Sequence, residues 1–475
     1  MLAAAAALAA IPYLYNRFDE EIRRCIQGKI AGHYSRLAVR LRSAQLIQGE
    51  GIELRGLSIA DPSLAGPQAE LSNFDEVLLC CDTSVKELLS NCPTITRIKI
   101  RRPVLRATSR PDGTWSIQQL HPWPKFGEAT PEVEVDGATL EIVDPLKSPS
   151  STYTLRDIHL LLKPVRSGPG QPCIFEVSGS MAADQVQKVA FTGTFDPATA
   201  AYDIRGSVEG LDISPELRAS LPASISERLH CLRTLRAQAR CDFRVAHHPK
   251  LHSGPQFRVD GQLIRGRLDD VQLPYPLTDL QGRVHLTNAG FTLDEVTARS
   301  GRTTLRLSCS RRGYSSLSPL KLEAVAEHLQ LEPRLADSLP EPLRDSWYKY
   351  LPDGEVNAEV KLTFDGQRWQ PQLQLTCIDT SFTFYKFPYR LEHATGRISL
   401  EQDRLTVGLT AYTGGEPVRI AADVRQPGPH FTGWIQVDGD NIPFEEKLFA
   451  ALRDNSQAVV RSLNPRGTFN VNARH

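Results

Sequence analysis

Hydrophobic and polar residues alternate along most of this chain. Val39 and Leu41 alternate with Arg40 and Arg42, and a period of two dominates from residue 34 onward. Successive side chains of a β-strand point to opposite faces, so this alternation gives each strand one apolar and one polar face. The pattern predicts a mainly β chain.

Turn signals divide the alternating segments of the first third into short strands. Pro103 separates two strands, Asp112-Gly113 predicts a turn, and Asp136-Gly137 predicts the turn of a hairpin over residues 133–142. Thr83–Ser90 has a helical period instead, with a threonine or serine as its N-cap.

The second half of the chain contains an internal repeat of helical segments. Leu217, Leu335 and Leu448 occupy corresponding positions, at intervals of 118 and 113 residues. Each segment is predicted to begin with a proline at the first helical position, where a missing N–H is tolerated. These prolines are Pro215, Pro333 and Pro443.

The segments between these helices also align with one another. Gly282 corresponds to Gly396, and Gly301 corresponds to Gly415. One repeat is therefore several strands followed by a helical insert, over about 115 residues. Strand repeats that each leave an apolar face uncovered predict stacking into one continuous antiparallel sheet.

These patterns divide the chain into five parts. They are an N-terminal anchor helix and stalk (1–32), an N-terminal β domain (33–165), and three β repeats with helical inserts (166–245, 246–364 and 365–475).

The N-terminal residues are apolar and uncharged. Leu2–Tyr15 is a run of 14 residues, shorter than the roughly 20 that span a bilayer. No positive charge precedes it, as one would in a signal peptide. We interpret it as the later part of a membrane helix, and the alternative is an Ala-rich soluble helix. Phe18, Ile22 and Ile26 then recur at helical spacing and predict an amphipathic stalk.

The motifs of the N-terminal β domain follow one another in a distinctive order. Gly51-Ile-Glu-Leu-Arg-Gly-Leu-Ser-Ile-Ala-Asp-Pro62 is followed by the helical Leu88-Leu89, by Ile95-Thr-Arg-Ile-Lys-Ile100 and Pro103, and by Arg110-Pro-Asp-Gly-Thr-Trp115. In this order and in its later repeats, the chain resembles the AsmA-like family of envelope proteins, which includes TamB and YhdP types. The resemblance covers nearly the whole sequence.

The resemblance implies a fold, a location and a function. The fold is a long antiparallel sheet curled into a half-pipe with an apolar inner face. The location is the periplasm, with a single N-terminal helix in the inner membrane. The function is outer-membrane and envelope biogenesis, with transport of membrane phospholipid along the groove. Family members that bridge two membranes are longer, so we expect this sequence to be a fragment.

The apolar stripe of the late repeats is the candidate site. Burial of acyl chains against it would gain about 25 cal/mol per Å². Packing in an ordinary sandwich core is the alternative for each residue. The candidate groove-lining residues are Val284, Leu286, Phe291, Leu293, Ile398, Leu400, Leu405, Val407, Trp434, Ile435 and Val437.

Composition narrows the functions that this stripe can serve. The chain has 55 Lys and Arg and 55 Asp and Glu, so its zero net charge argues against a nucleic-acid partner. Its nine cysteines form no Cys-x-x-Cys pair, which favours buried thiols over zinc ligands. Phosphate-loop, nucleophile-elbow and His-Glu-x-x-His motifs do not occur, so we expect a non-enzyme without a cofactor. The alternative function is an envelope scaffold or adhesin that binds proteins, as yet unidentified.

Overall fold

A computed structural model describes residues 19–64, 66–82, 94–110, 114–122, 124, 130–144, 151–166, 173–220, 234–249, 254–270, 273–315, 317–428, 430–452, 454–463 and 465–475. The predicted anchor segment Leu2–Tyr15, the predicted helix Thr83–Ser90 and the Asp112-Gly113 turn lie outside these residues. In the described part of the chain, no helix has the length and apolar character that crossing a membrane requires.

The mainly β prediction is confirmed, since the described strands number 23 and belong to one largely antiparallel sheet. The earlier strands are β1 (Ala38–Ile47), β2 (Gly51–Ala60), β3 (Glu70–Cys81), β4 (Ile95–Arg101), β5 (Val104–Thr108), β6 (Glu132–Asp144), β7 (Ser151–Arg166), β8 (Cys173–Ala183), β9 (Val186–Asp196), β10 (Ala201–Ile213), β11 (Leu235–His247) and β12 (Gln256–Leu268). The later strands are β13 (Leu277–Thr287), β14 (Gly290–Ser300), β15 (Thr303–Arg312), β16 (Leu320–Gln330), β17 (Asp353–Phe364), β18 (Trp369–Phe384), β19 (Phe387–Glu401), β20 (Arg404–Thr413), β21 (Glu416–Arg425), β22 (Thr432–Pro443) and β23 (Thr468–Arg474).

The helices of the described residues are few and short. They are α1 (19–33), α2 (Pro215–Ser220), α3 (Pro333–Ser338), α4 (Glu341–Tyr350), α5 (Glu446–Ala451) and α6 (Asp454–Leu463), with 3-10 turns at Gly66–Ala69 and Ser116–Leu120. Pro215 and Pro333 begin their helices, as the sequence predicts. The prediction for Pro443 is wrong: it ends β22 opposite Thr468, and Glu445 caps α5 instead.

The chain divides into two compact units. The first unit comprises Met1–Arg233 with Gln238–Val259, and the second comprises Thr234–Ala237 with Asp260–His475. In the first unit, α1 packs Ile22 and Ile26 against a buried cluster that contains Leu54, which is only 1% exposed. Here a helix covers the apolar face of the first strands.

Polar side chains of α1 also occupy the free edge of β1. Arg23 donates to the Leu41 carbonyl at 3.3 Å, and the Gln27 amide donates to the Val39 carbonyl at 3.1 Å. An uncovered strand edge invites pairing with another chain, so these contacts protect the beginning of the sheet.

The hairpin predicted over residues 133–142 is wrong, because β6 is one continuous strand. It pairs in parallel with β4 and then with β5, which are separated by Arg102-Pro103. Gly137 has φ +63° and lies at a shift in the pairing between β6 and β7. An Asp-Gly pair supplies the left-handed conformation that either a tight turn or a bulge requires, and here it forms the bulge.

Asp61, at the end of β2, joins three segments of the first unit. Its carboxylate is 5% exposed and accepts hydrogen bonds from the Ser63 hydroxyl (2.6 Å) and backbone (2.9 Å), Arg110 (3.1 Å) and Gln119 (3.1 Å). The hydrogen bond from the Ser63 hydroxyl makes the largest contribution to lowering the pKa of Asp61. The Asp-Pro motif therefore ends a strand and anchors the following turns.

In the second unit, β13 to β23 pair with their sequence neighbours, and every pair is antiparallel. Bulges interrupt the pairing at residues whose backbone is in the left-handed conformation, for example Glu295 (φ +51°), His328 (φ +58°) and Asn441 (φ +55°). At Glu295 the chain advances three residues, from Leu293 to Val296, while the partner strand advances two. The bulge thereby returns the apolar side chains to the same face after a change of phase.

We expect Asp61→Asn to lower the free energy of unfolding of the first unit by about 2 kcal/mol at neutral pH, because charge-assisted hydrogen bonds are lost. The pKa of Asp61 is lowered on folding, so this stabilisation exists above the carboxyl's unfolded pKa of about 3.9 and disappears as the pH falls through the folded value. Urea denaturation at neutral and strongly acidic pH measures both effects.

Asp75→Asn is the matched control, since Asp75 is exposed and pairs with Arg102 at 3.2 Å. Its loss should change stability by less than 1 kcal/mol. Equal effects of the two substitutions would contradict the role assigned to Asp61.

Candidate functional site

Strand register places ten of the eleven candidate groove residues on one face of the second unit. Residues directly opposite each other in an antiparallel pair share a face. The pairs that show this are Val284 with Leu293, Leu286 with Phe291, Ile398 with Val407, Leu400 with Leu405, Ile435 with Ala422 and Val437 with Ile420.

The same register connects this face across nine strands, β14 to β22. One row of directly paired residues runs Ala298, Leu305, Ala326, Ala358, Leu375, Ile398, Val407, Ala422 and Ile435. We call this row the apolar strip. Every residue in it is apolar, and at a strand spacing of about 4.8 Å the strip is about 40 Å long, measured along the sheet.

Flanking rows on the same face are also apolar. On one side, Leu307, Ala324, Val360, Leu373, Leu400, Leu405 and Val424 follow one another in register. On the other side the row is Leu329, Val356, Cys377, Gly396, Leu409, Ile420 and Val437. The strip is therefore the middle of a band at least three residues wide.

Sequence reasoning missed the part of this band that lies in β15 to β18. Leu305, Leu307, Leu373 and Leu375 are on the apolar face but were not among the candidates. The alternation Leu-Arg-Leu at 305–307 and Leu-Gln-Leu at 373–375 carries the same signal as the residues that were chosen. The register shows that these residues fill the gap between the two groups of candidates.

Trp434 is the one candidate that lies on the opposite face. It pairs with Asp423, and the Arg474 guanidinium lies 5.4 Å from the centre of its ring. Asp423 also accepts two hydrogen bonds from Arg404, at 2.6 and 2.9 Å, and these lower the pKa of its carboxyl. Trp434 precedes Ile435 directly, so both cannot point to one side of the strand, and the assignment of Trp434 to the groove is corrected.

Polar residues dominate the opposite face beneath the strip. Glu359, Gln374, Ser399, Thr406 and Asp423 are paired in sequence across five strands. The sheet is therefore sharply one-sided: moving one residue along a strand exchanges an apolar row for a polar one.

The apolar strip is buried at Ala298, Ala358 and Ala422, but its larger side chains are only partly buried. Leu375, Ile398, Val407 and Ile435 all retain part of their exposure. The hydrophobic cluster that contains Ile398 and Val407 is made of residues from β16 to β21, together with Leu331. The described neighbours of these side chains are thus members of the same sheet, except for Leu331.

A helical insert covers one end of this face. The α5 residues Leu448 and Ala451 pack with Tyr389 and Leu391 of β19. Buried hydroxyls near this end have partners: Thr413 donates to the Tyr389 hydroxyl at 2.8 Å, and Thr380 donates to the Glu355 carbonyl at 3.1 Å. These hydroxyls are therefore satisfied within the protein.

Two cysteines contribute thiols to the band. Burial raises the pKa of the Cys309 and Cys377 thiols, which keeps them protonated and apolar at neutral pH. Seven cysteines are described, while Cys92 and Cys231 lie outside the described residues. Within the described ranges, no group of three His, Cys, Asp or Glu residues is arranged to hold a metal ion.

We expect Val356→Ala and Val407→Ala to differ in cost, although they remove the same atoms from the same unit. Val356 is 1% exposed, so its truncation should destabilise by about 2 kcal/mol. Val407 is partly exposed, and its truncation should cost less because solvent already reaches it. Urea denaturation of the full chain measures both, and equal costs would show that the strip is a covered core.

Comparison with known proteins adds no assignment to this geometry, since no family model matches the chain and no curated protein matches its sequence.

Proposed function

We propose that this protein is a membrane-anchored periplasmic protein of the AsmA-like type that moves phospholipid along the apolar strip in envelope biogenesis. The observation that carries the proposal is the unbroken apolar row over nine strands, whose larger side chains are only partly buried and which is backed by a polar row over five of those strands. Such a surface is unfavourable in water and needs an apolar occupant.

Acyl chains fit this requirement better than a ligand with a fixed polar outline. Each buried methylene would gain about 0.8 kcal/mol, and the strip offers the same apolar contact at every strand. Because the strip itself carries no polar side chain, a bound chain has no preferred stopping point along it. The strip would therefore hold lipid and let it slide.

Curling of the sheet into a half-pipe belongs to this proposal. Long sheets twist and coil instead of staying flat. Curling with the strip inside would shield acyl chains from water and leave headgroups at the open side. The polar row from Glu359 to Asp423 would then face the surrounding solvent.

The membrane location rests on the N-terminal sequence. Leu2–Tyr15 carries no charge and leads into α1, whose Ile22 and Ile26 pack on the first strands. An inner-membrane anchor at this end would deliver lipid to a sheet that begins directly after the membrane. A scaffold or adhesin would need no such apolar band.

We expect a photoreactive side chain to crosslink phospholipid at Ile398 and Val407 and not at Ser399 and Thr406. The first pair lies in the apolar strip, and the second pair lies one residue away on the polar face of the same two strands. The measurement is mass spectrometry of crosslinked lipid in cells that make the full-length chain. Equal crosslinking on both faces, or none on either, would contradict the groove and favour the scaffold.

We also expect Ile398→Glu to reduce co-purified phospholipid several-fold, because a carboxylate in the strip must keep its hydration. Ser399→Glu is the matched control and should leave the lipid content unchanged. Phosphorus analysis of the purified proteins gives the ratio, and thermal unfolding of both variants shows that the comparison concerns folded protein.

A further inference from the structure

A second apolar surface lies outside the strip, at the end of α4 and the turn between β18 and β19. Its apolar members are Tyr350, Leu351, Phe384, Tyr385 and Phe387. Together with Lys349 and Lys386 we call it the aromatic patch. Tyr350 is 47% exposed and Tyr385 is 51% exposed, so these rings meet solvent instead of filling a core.

The patch is built by contacts between the helix and the turn. The Tyr385 N–H donates to the Lys349 carbonyl at 2.8 Å. The Tyr350 and Phe384 rings stack with centroids 5.5 Å apart, and Phe384 meets Tyr385 edge to face at 5.1 Å. The pKa of Tyr350 is raised, mainly by burial of its hydroxyl and to a smaller extent by the electrostatic effect of Tyr385. The rings of Tyr350, Phe384 and Tyr385 therefore form one ordered group.

The charge of the patch is positive. The Lys386 ammonium lies 5.7 Å from the centre of the Tyr385 ring. Among the described residues, neither Lys349 nor Lys386 forms an ion pair with a carboxylate. The nearby Asp353 is engaged by Arg390, at 3.2 Å. Lys386 thus places an ammonium group beside an exposed ring, and Lys349 adds a second positive charge on the helix next to Tyr350, both without a carboxylate partner in the described part of the chain.

The patch lies at one end of the strands β17 and β18. Asp353 pairs with Ser381 at the end of the β17–β18 ladder that adjoins α4, whereas Phe364 pairs with Trp369 at the other end. The patch therefore projects from the strand ends that carry the helical inserts. The apolar strip crosses the same strands at Ala358, Leu375 and Ile398.

We propose that the aromatic patch docks on an anionic phospholipid bilayer, with its rings in the interfacial layer and its lysines against the headgroups. Tyrosine rings combine an apolar body with a polar tip and favour this layer. Lysines close to an anionic surface add electrostatic attraction. The chain as a whole has no excess of positive over negative charge, so the attraction is local to the patch.

This inference deepens the proposed function and rests on it for the choice of lipid as the ligand. Docking would hold the strand ends at a membrane, where phospholipid could enter or leave the strip. Aromatic rings and unpaired lysines match a bilayer interface better than a protein surface, whose recognition would need a complementary shape.

The test is flotation of the full-length chain with vesicles of phosphatidylcholine and phosphatidylglycerol in equal parts. We expect Lys349→Gln with Lys386→Gln to weaken binding about tenfold, and raised salt to weaken binding of the natural chain. Tyr350→Ser with Tyr385→Ser should weaken binding to a similar degree. Trp369→Ser is the matched control, since Trp369 is 57% exposed at the opposite strand ends, and it should bind like the natural chain.

A photoreactive side chain at position 385 or 369 provides a second readout. Because both positions belong to the same chain, membrane binding by the N-terminal segment does not affect the comparison between them. Crosslinking of vesicle lipid at 385 and not at 369 supports docking by the patch. Equal crosslinking at both positions, or crosslinking at 385 that the lysine substitutions leave unchanged, overturns it. So does crosslinking of position 385 to a protein in cells without any lipid adduct.

The patch and the strip can fail separately. Loss of flotation in the patch variants with lipid crosslinking retained at Ile398 supports both. Lipid crosslinking at Ile398 without any effect of the patch variants overturns the docking alone. Flotation that depends on the patch, with no lipid at Ile398, overturns transport along the strip alone.

Discussion

The structure depends on keeping apolar side chains on one face of a sheet through many strands. A single-residue slip in any strand would exchange its apolar and polar rows. Bulges at Glu295, His328 and Asn441 prevent this, because each absorbs one residue where the sequence changes phase. The apolar strip, the polar face behind it and the placement of the helical inserts all follow from this one-sidedness.

The two units use their apolar faces differently. In the first unit, α1 lies on the opening strands, and Leu54 and Leu79 are almost fully buried. In the second unit, Ile398 and Val407 contact mainly their own sheet and stay half-buried. The same alternating pattern thus produces a core covered by a helix around the opening strands and a partly exposed strip in the second unit.

Sequence alternation predicts the strands and the face of each side chain wherever the phase is constant, as at Ile398 and Val407. It fails where one local signal serves two structures. Asp136-Gly137 suits a hairpin turn and a bulge equally, and only the parallel partners β4 and β5 decide between them. Trp434 is hydrophobic, which suggested a place on the apolar face, but it is adjacent to Ile435 and therefore points to the opposite face of the strand. The exposure of the strip depends on which other segments pack over it, and the alternation within a strand does not predict this.

The central claim is that acyl chains occupy the apolar strip. A crystal structure of the protein purified with its endogenous lipid tests this claim most directly. If acyl chains occupy the strip, continuous acyl-chain density will contact Leu375, Ile398 and Val407. No comparable density will lie on the polar face at Gln374, Ser399 and Thr406. A protein segment packed over the strip in place of lipid would contradict this claim.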